Sequence, residues 1–387
     1  MPALPAPVFS ISTGFKHRFA AIALSLATAG CATLDDAGQP PAHHAITATQ
    51  GRALVVSLLP ERLADRDGWA TDIYAAIAAL DIAPTAENVC AAVAVTEQES
   101  GFQVDPPVPG LAKIARREID ARRERAGIPQ LALDAALALR SPDGRSYAER
   151  LDSVKTEKQL SELFEDFIGM VPLAKTFFSD HNPVRTGGPM QVSIAFAQAQ
   201  ADGETYPYPK AGSVRQEVFT RRGGMYFGIA HLLDYPASYD SHLYRFADFN
   251  AGRHASRNAA FQQAVAELSG IPLALDGDLL RYERGRPAAQ PSHTEIAVRL
   301  LARRIDMDHD AIRRDLELGN APAFERSRLH GRVFALADRT AAKPMPRAIL
   351  PRIALTGPKI SRKLTNEWFA TRVDMRYKAC LKRARNG

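Results

Sequence analysis

The sequence predicts a mainly α fold, and three observations carry that reading. Apolar residues recur at three- and four-residue spacing in nearly every segment beyond residue 52. Residues that start helices, such as Thr85, Ser193 and Asp308, stand just ahead of those segments. Convincing strands are few, and no internal repeat is present. The 387 residues are 46% hydrophobic and 24% charged, enough to bury a core in one large domain or two medium ones and too apolar for wholesale disorder.

Taken in order, GWATDIYAAIAAL (68–80) reads as a helix that gives way at DIAPT. Thr85 then caps a helix beginning at Ala86, with Glu87 in its first turn. Its Val89, Ala92, Val93 and Thr96 form a core-facing stripe. Residues 110–180 hold charged amphipathic helices: LAKIARREIDARRER, LALDAALALR, YAERLDSV and EKQLSELFEDFIGM. A tight loop at Gly187–Gln191 feeds a helix capped by Ser193. GGMYFGIAHLLDYP (223–236) is a further helix, and the helical stretch 244–268 is interrupted at Asn250-Ala251-Gly252. Beyond Gly270 come TEIAVRLLARR, DHDAIRRDLEL, AFERSRLHGRVFALADR and a Pro-rich passage near 344–358. A last helix from about Thr365 spaces Phe369, Val373 and Tyr377 four apart. Asp306, Asp308, His309 and Asp310 read as a turn whose Asp308 caps the next helix, not as a metal site.

The N-terminus has the order of an export signal: Lys16, His17 and Arg18 precede the apolar run FAAIALSLATAG (19–30), which is too short to span a bilayer. Ala29-Gly30-Cys31 resembles a bacterial lipobox, which implies diacylglycerol on the Cys31 thiol after cleavage. Thr28 stands where that motif usually has leucine, and Ala27-Thr28-Ala29 also reads as an ordinary cleavage site. The expected organisation is a signal peptide over 1–30 and a lipidated N-terminus and flexible tether over 31–51. A first domain over 52–270 then carries the helical insertion 110–180, and a helical C-terminal region with a basic tail covers 271–387. The formal net charge is +6, and from Gly357 to Gly387 nine Lys and Arg stand against Glu367 and Asp374. Export makes nucleic acid a poor partner for that charge, so an anionic lipid surface or a carboxylate-bearing wall polymer fits it better. More often such a tail is a solvated helix face.

Two cysteines remain beyond Cys31. In an oxidising compartment Cys90 and Cys380 could form a disulfide, and two buried thiols are the other reading. No metal-ligand spacing is present, His43-His44 is incidental, and no cofactor is expected.

Three short pieces concentrate the chemistry: Glu99-Ser100-Gly101-Phe102, Gly188-Pro189-Met190-Gln191 and Phe249-Asn250-Ala251-Gly252. In order and type they resemble the three signature motifs of the soluble lytic transglycosylase and goose-type lysozyme superfamily, E-S-x-F, G-L-M-Q and A-Y-N-A-G. Gly223 to Leu233 resembles the helix between the second and third. The chain also resembles a group of bacterial envelope lipoproteins of unassigned function. The resemblance implies a lysozyme-like helical domain over roughly 69–268 and cleavage of peptidoglycan between N-acetylmuramic acid and N-acetylglucosamine, with a 1,6-anhydro product. It gives Glu99 the catalytic role. Ser100, Met190, Gln191, Tyr226 and Asn250 become substrate contacts, Tyr226 or Tyr244 standing in for a tyrosine hydroxyl that Phe249 lacks. It places the protein at the inner face of the outer membrane, with glycan strands and a lipid-anchored membrane as partners. A non-catalytic wall-binding or scaffold lipoprotein on the same fold is the alternative.

The residues support Glu99 independently. A carboxyl at a helix C-terminus faces the negative end of the dipole, and apolar neighbours desolvate it; both favour the protonated form that a general acid needs. Glu97 lies about 200° away around the helix, so Glu99 continues the Ala92/Thr96 face and Glu97 reads as solvated. Gly101 supplies the left-handed exit. Asp248 is the one other acid in motif context.

Overall fold

A computed structural model describes residues 46–170, 182–204, 206–209, 212–283, 285–355 and 363–386. The expected signal segment, Cys31, His43-His44 and most of the expected tether lie outside the described residues. The described chain is helical, with three two-stranded antiparallel ladders of two residues each. No helix among the described residues is long and apolar enough to cross a membrane.

The helix Ala86–Glu99 is the centre of the molecule. Thr85 accepts a hydrogen bond from the Asn88 amide, and Glu87 sits in the first turn beside the positive end of the dipole. The expected one-sided stripe is wider in fact: every residue from Val89 to Thr96 is buried. Three alanines in that run let neighbouring helices approach from all sides, so the helix is enclosed rather than laid against a core. Helix Ala48–Leu58 packs on it, capped by a Thr47–Gln50 box, as do Arg221–Leu233 and Asn366–Asn386.

That last helix is the main departure from the expected organisation. Phe369, Ala370, Val373, Tyr377 and Cys380 are buried in the same core as Val89, Cys90 and Val93. Cys90 and Cys380 are joined by a disulfide across 290 residues. The Arg383 guanidinium donates to the Leu58 carbonyl at 2.8 Å. A second core runs from Ala260 to Met345, built from Ala255–Ser269, His293–Leu300, His309–Glu317 and Arg328–Thr340. Packing therefore does not divide the chain at residue 270. The helix Ala255–Ser269 turns Phe261, Ala264 and Val265 into the second core, and the C-terminal helix returns to the first. Inside the second core Glu295 is wholly buried between Arg299 at 2.6 Å and Arg313 at 2.9 Å, a charge held only because it is paired.

Among the described residues the insertion forms four helices, Leu111–Arg125, Gln130–Ala138, Tyr147–Ser153 and Glu157–Gly169. They attach to the first core through Leu111, Ala115, Tyr147, Leu151 and Leu160. The Arg116–Asp152 and Arg150–Asp166 ion pairs, both 2.7 Å, tie the helices to one another.

Candidate active site

Glu99 is the last residue of the enclosed helix, and the chain leaves it abruptly. The Ser100 amide closes on Thr96 O and the Gly101 amide on Glu97 O. Gly101 and Phe102 then both adopt left-handed conformations, φ +58° and +63°. Glycine does this freely, but for phenylalanine it costs roughly 1–2 kcal/mol. Burial of the Phe102 ring, edge-on to Trp69 at 5.2 Å, offsets that cost. Of the six non-glycine residues with positive φ among the described residues, Phe102 and Gln191 lie in the first two motifs and His254 just past the third. Strain of this kind collects where a fold is built around a site.

The Glu99 side chain keeps partial solvent access while its surroundings are densely packed. Desolvation pushes its pKa from an ordinary 4.5 up to about 8. No hydrogen-bond or ion-pair partner reaches its carboxyl among the described residues. Glu97 behaves differently: it is partly exposed and lies 3.8 Å from Arg376 of the C-terminal helix. It is therefore an ion-paired residue at a helix contact, where the sequence suggested a merely solvated one.

The helix Arg221–Leu233 is the spine that gathers the motifs. Met225 receives the Thr96 hydroxyl on its sulfur at 3.6 Å, one turn before Glu99. Gly228 makes room for Met190: a Cβ there would meet the Met190 side chain at 2.5 Å. His231 meets the Phe249 carbonyl through Nε2 at 3.1 Å. From Met225 to His231 is six steps, about 9 Å of helix axis, so one short helix meets the helix that ends at Glu99 and the second and third motifs.

The remaining expected contacts divide into accessible and buried. Gln191 ends the turn joining the Thr186–Gly187 and Val192–Ser193 strands and is partly exposed. Its Nε2 donates to Gly188 O at 3.2 Å, and the Thr186 hydroxyl donates to its Oε1 at 3.4 Å. Asn250 is exposed, and its amide nitrogen donates to Asn366 Oδ1 at 2.8 Å. Three expectations are corrected. Met190 is completely buried under Gly228, so it supports the hairpin from below. Ser100 is buried, its hydroxyl donating to Thr96 O at 3.1 Å, which closes the helix end. Tyr226 is buried, stacked edge-on to Tyr206 and Phe227. Burial raises its pKa, with the Gln200 side chain beside its hydroxyl. In each case an apolar or helix-end position absorbs the side chain before a ligand can reach it.

Asp248 is spent structurally. It is fully buried and accepts from the Tyr235 and Tyr239 hydroxyls and from the His254 and Ser256 amides. It thereby caps the helix Ala255–Ser269 across the left-handed His254. Burial raises its pKa against those hydrogen bonds. His231 is held neutral, its pKa pushed down to about 4 by burial and by the nearby Arg253. The residues that sequence reasoning missed are Asn366 and Arg376. Asn366 reaches Asn250 of the third motif across 116 residues, Arg376 meets Glu97 on the other face of the acid helix, and no local pattern marks either. No cluster of His, Cys, Asp and Glu suited to a metal is present among the described residues.

The pattern of a family described as "Protein of unknown function (DUF1615)" matches residues 62–383. The chain belongs to the DUF1615 family. A relative in Escherichia coli (strain K12), named "Uncharacterized protein YaiW", is 54% identical over 330 residues, covering 85% of this chain and 89% of that protein. No solved structure matches the chain. The DUF1615 match begins ahead of the Trp69 helix and ends inside the C-terminal helix. It therefore takes in the second core, the first core except Val55, Leu58, Leu59 and their helix, the three motifs and both cysteines of the disulfide.

Proposed function

We propose that this chain is a peptidoglycan lytic transglycosylase on a lysozyme-like fold, lipid-anchored through Cys31 at the periplasmic face of the outer membrane. One observation carries the reading: Glu99 is an unpartnered, desolvated carboxyl with a pKa of about 8, at the end of a helix whose last turns contact the spine that also meets the other two motifs. Near neutral pH such a group retains its proton.

The chemistry then follows from one acid. Glu99 protonates the oxygen linking muramic acid to glucosamine, and the C1–O bond breaks with the electron pair leaving on that oxygen. The substrate's acetamido group steadies the cationic C1. The Glu99 carboxylate next takes the proton of the C6 hydroxyl as O6 bonds to C1, which closes the 1,6-anhydro ring and restores the acid without water. No second carboxylate is required, in keeping with Asp248 being engaged as a helix cap and unlike the usual glycosidase pair. Gln191 and Asn250 are the accessible polar residues for sugar contacts.

Incubation of the full mature protein with purified sacculi should release 1,6-anhydromuropeptides, identified by mass. Glu99→Gln should lower the rate roughly a hundred- to ten-thousandfold with the circular dichroism spectrum unchanged. Reducing muramic ends would mean hydrolysis instead. A folded protein that releases nothing across the pH range overturns the proposal.

A second reading, a non-catalytic peptidoglycan-binding or scaffold lipoprotein, is favoured by one specific feature. Phe249 carries no hydroxyl, and among the described residues no tyrosine hydroxyl hydrogen-bonds the Glu99 carboxyl. Co-sedimentation with sacculi without muropeptide release would select it.

A further inference from the structure

We infer that Asn366, at the start of the C-terminal helix, is a positioning residue that sets which face of the Asn250 amide meets a bound glycan. This rests on the glycan-binding reading above and adds a residue outside the three motifs.

Asn366 is wholly buried. Its backbone amide donates to Ile353 O at 3.0 Å, which fixes the residue at the mouth of the Ala354–Leu355 and Leu364–Thr365 ladder. Its Oδ1 accepts the Asn250 amide N–H at 2.8 Å, while its own Nδ2 is buried without a partner. Leaving a buried amide nitrogen unpaired is unfavourable, and an apolar side chain of that size would avoid it. The position is explained if its carbonyl is what the fold needs. With that carbonyl on the inside, the Asn250 nitrogen is drawn inwards and its Oδ1, which has no partner among the described residues, is left facing outwards as an acceptor. A planar amide held this way reads a donor. The N–H of an N-acetyl group is the matching chemistry, and a sugar bearing only hydroxyls matches less well. The same helix is fastened to the acid helix by the disulfide and by the Arg376–Glu97 contact, so it holds the third motif in fixed relation to the first.

The test uses the full chain carrying Glu99→Gln, so that binding is read without turnover, and the β-1,4-linked N-acetylglucosamine tetramer as probe in calorimetry. Asn366→Ala should weaken binding about tenfold. Asn250→Ala should weaken it by a similar factor, and the double variant no more than either alone, because the two side chains act as one unit. Asn366→Asp, which keeps an acceptor towards Asn250, should restore most of the affinity, a rescue that a purely packing role would not give. Where Asn366→Ala does not fold, Asn366→Ser, too short to reach Asn250, takes its place. Losses that multiply in the double variant, an unchanged affinity in Asn366→Ala, or no tetramer binding at all overturn the inference. Coupled binding together with sacculi that release no product would leave the positioning role standing while the catalytic reading falls.

Discussion

A carboxyl whose folded pKa lies near 8 and whose ordinary value is 4.5 makes stability depend on pH with a definite sign. The folded state binds the Glu99 proton more tightly than the unfolded chain, so its contribution is full below about pH 4.5 and is lost as pH rises through about 8. Each unit of displacement corresponds to about 1.4 kcal/mol. Glu99→Gln cannot ionise. We expect the two proteins to have matching urea midpoints at pH 4 and the variant to be the more stable at pH 9; parallel pH profiles would remove the desolvation argument. On the proposed catalytic reading, kcat/KM of the unaltered protein should fall along an alkaline limb near pH 8, because that ratio reports the acid of the free protein. That Glu99 and Glu97 meet different surroundings was legible from helix geometry, because two residues of separation put them on nearly opposite faces. The fates of Met190, Ser100 and Tyr226 were not. Whether an apolar or helix-end side chain is covered by ligand or by protein depends on what packs over it, and here Gly228, the Thr96 carbonyl and Gln200 do so.

Elements read well from local chemistry and poorly from distant contacts. Thr85, Ser193 and Asp308 each accept the amide three residues on, as their positions ahead of apolar runs suggested. The break at Gly252 is present, with φ +110°. The hairpin of the second motif shows how tightly one element constrains another. Gly188 sits at φ +72°, and a Cβ on it would lie 2.1 Å from the Val218 carbonyl oxygen. Gly188→Ala should therefore destabilise by about 1–3 kcal/mol in chemical denaturation, displacing the hairpin that carries Gln191; a neutral substitution would show that the hairpin is slack. The disulfide ties two elements that no periodicity relates. Cys90→Ala with Cys380→Ala should cost about 2–5 kcal/mol, measured as the drop in unfolding free energy against the oxidised protein. An unchanged midpoint would mean that packing alone seats the C-terminal helix.

At the scale of the whole molecule the first core is closed by residues at both ends of the chain. Removing everything after 270 strips Phe369, Val373, Tyr377 and Cys380 from the acid helix. Each such side chain contributes about 1.5–3 kcal/mol when buried, against a total stability of about 5–15 kcal/mol for a typical fold. A fragment spanning 46–270 should show no cooperative thermal transition, whereas the chain through its C-terminus should. A cooperative fragment would restore the division expected from the sequence.

The sequence by itself determined the helical class, the caps and breaks, and the end of the acid helix at residue 99, because each follows from neighbours a few residues apart. Only the tertiary structure decided that Asn366 meets Asn250 and Arg376 meets Glu97, that Met190 and Tyr226 are buried, and that the last helix belongs to the first core. Those are choices among partners far apart in the chain, made by the burial of apolar faces whose spacing looks the same whichever partner covers them.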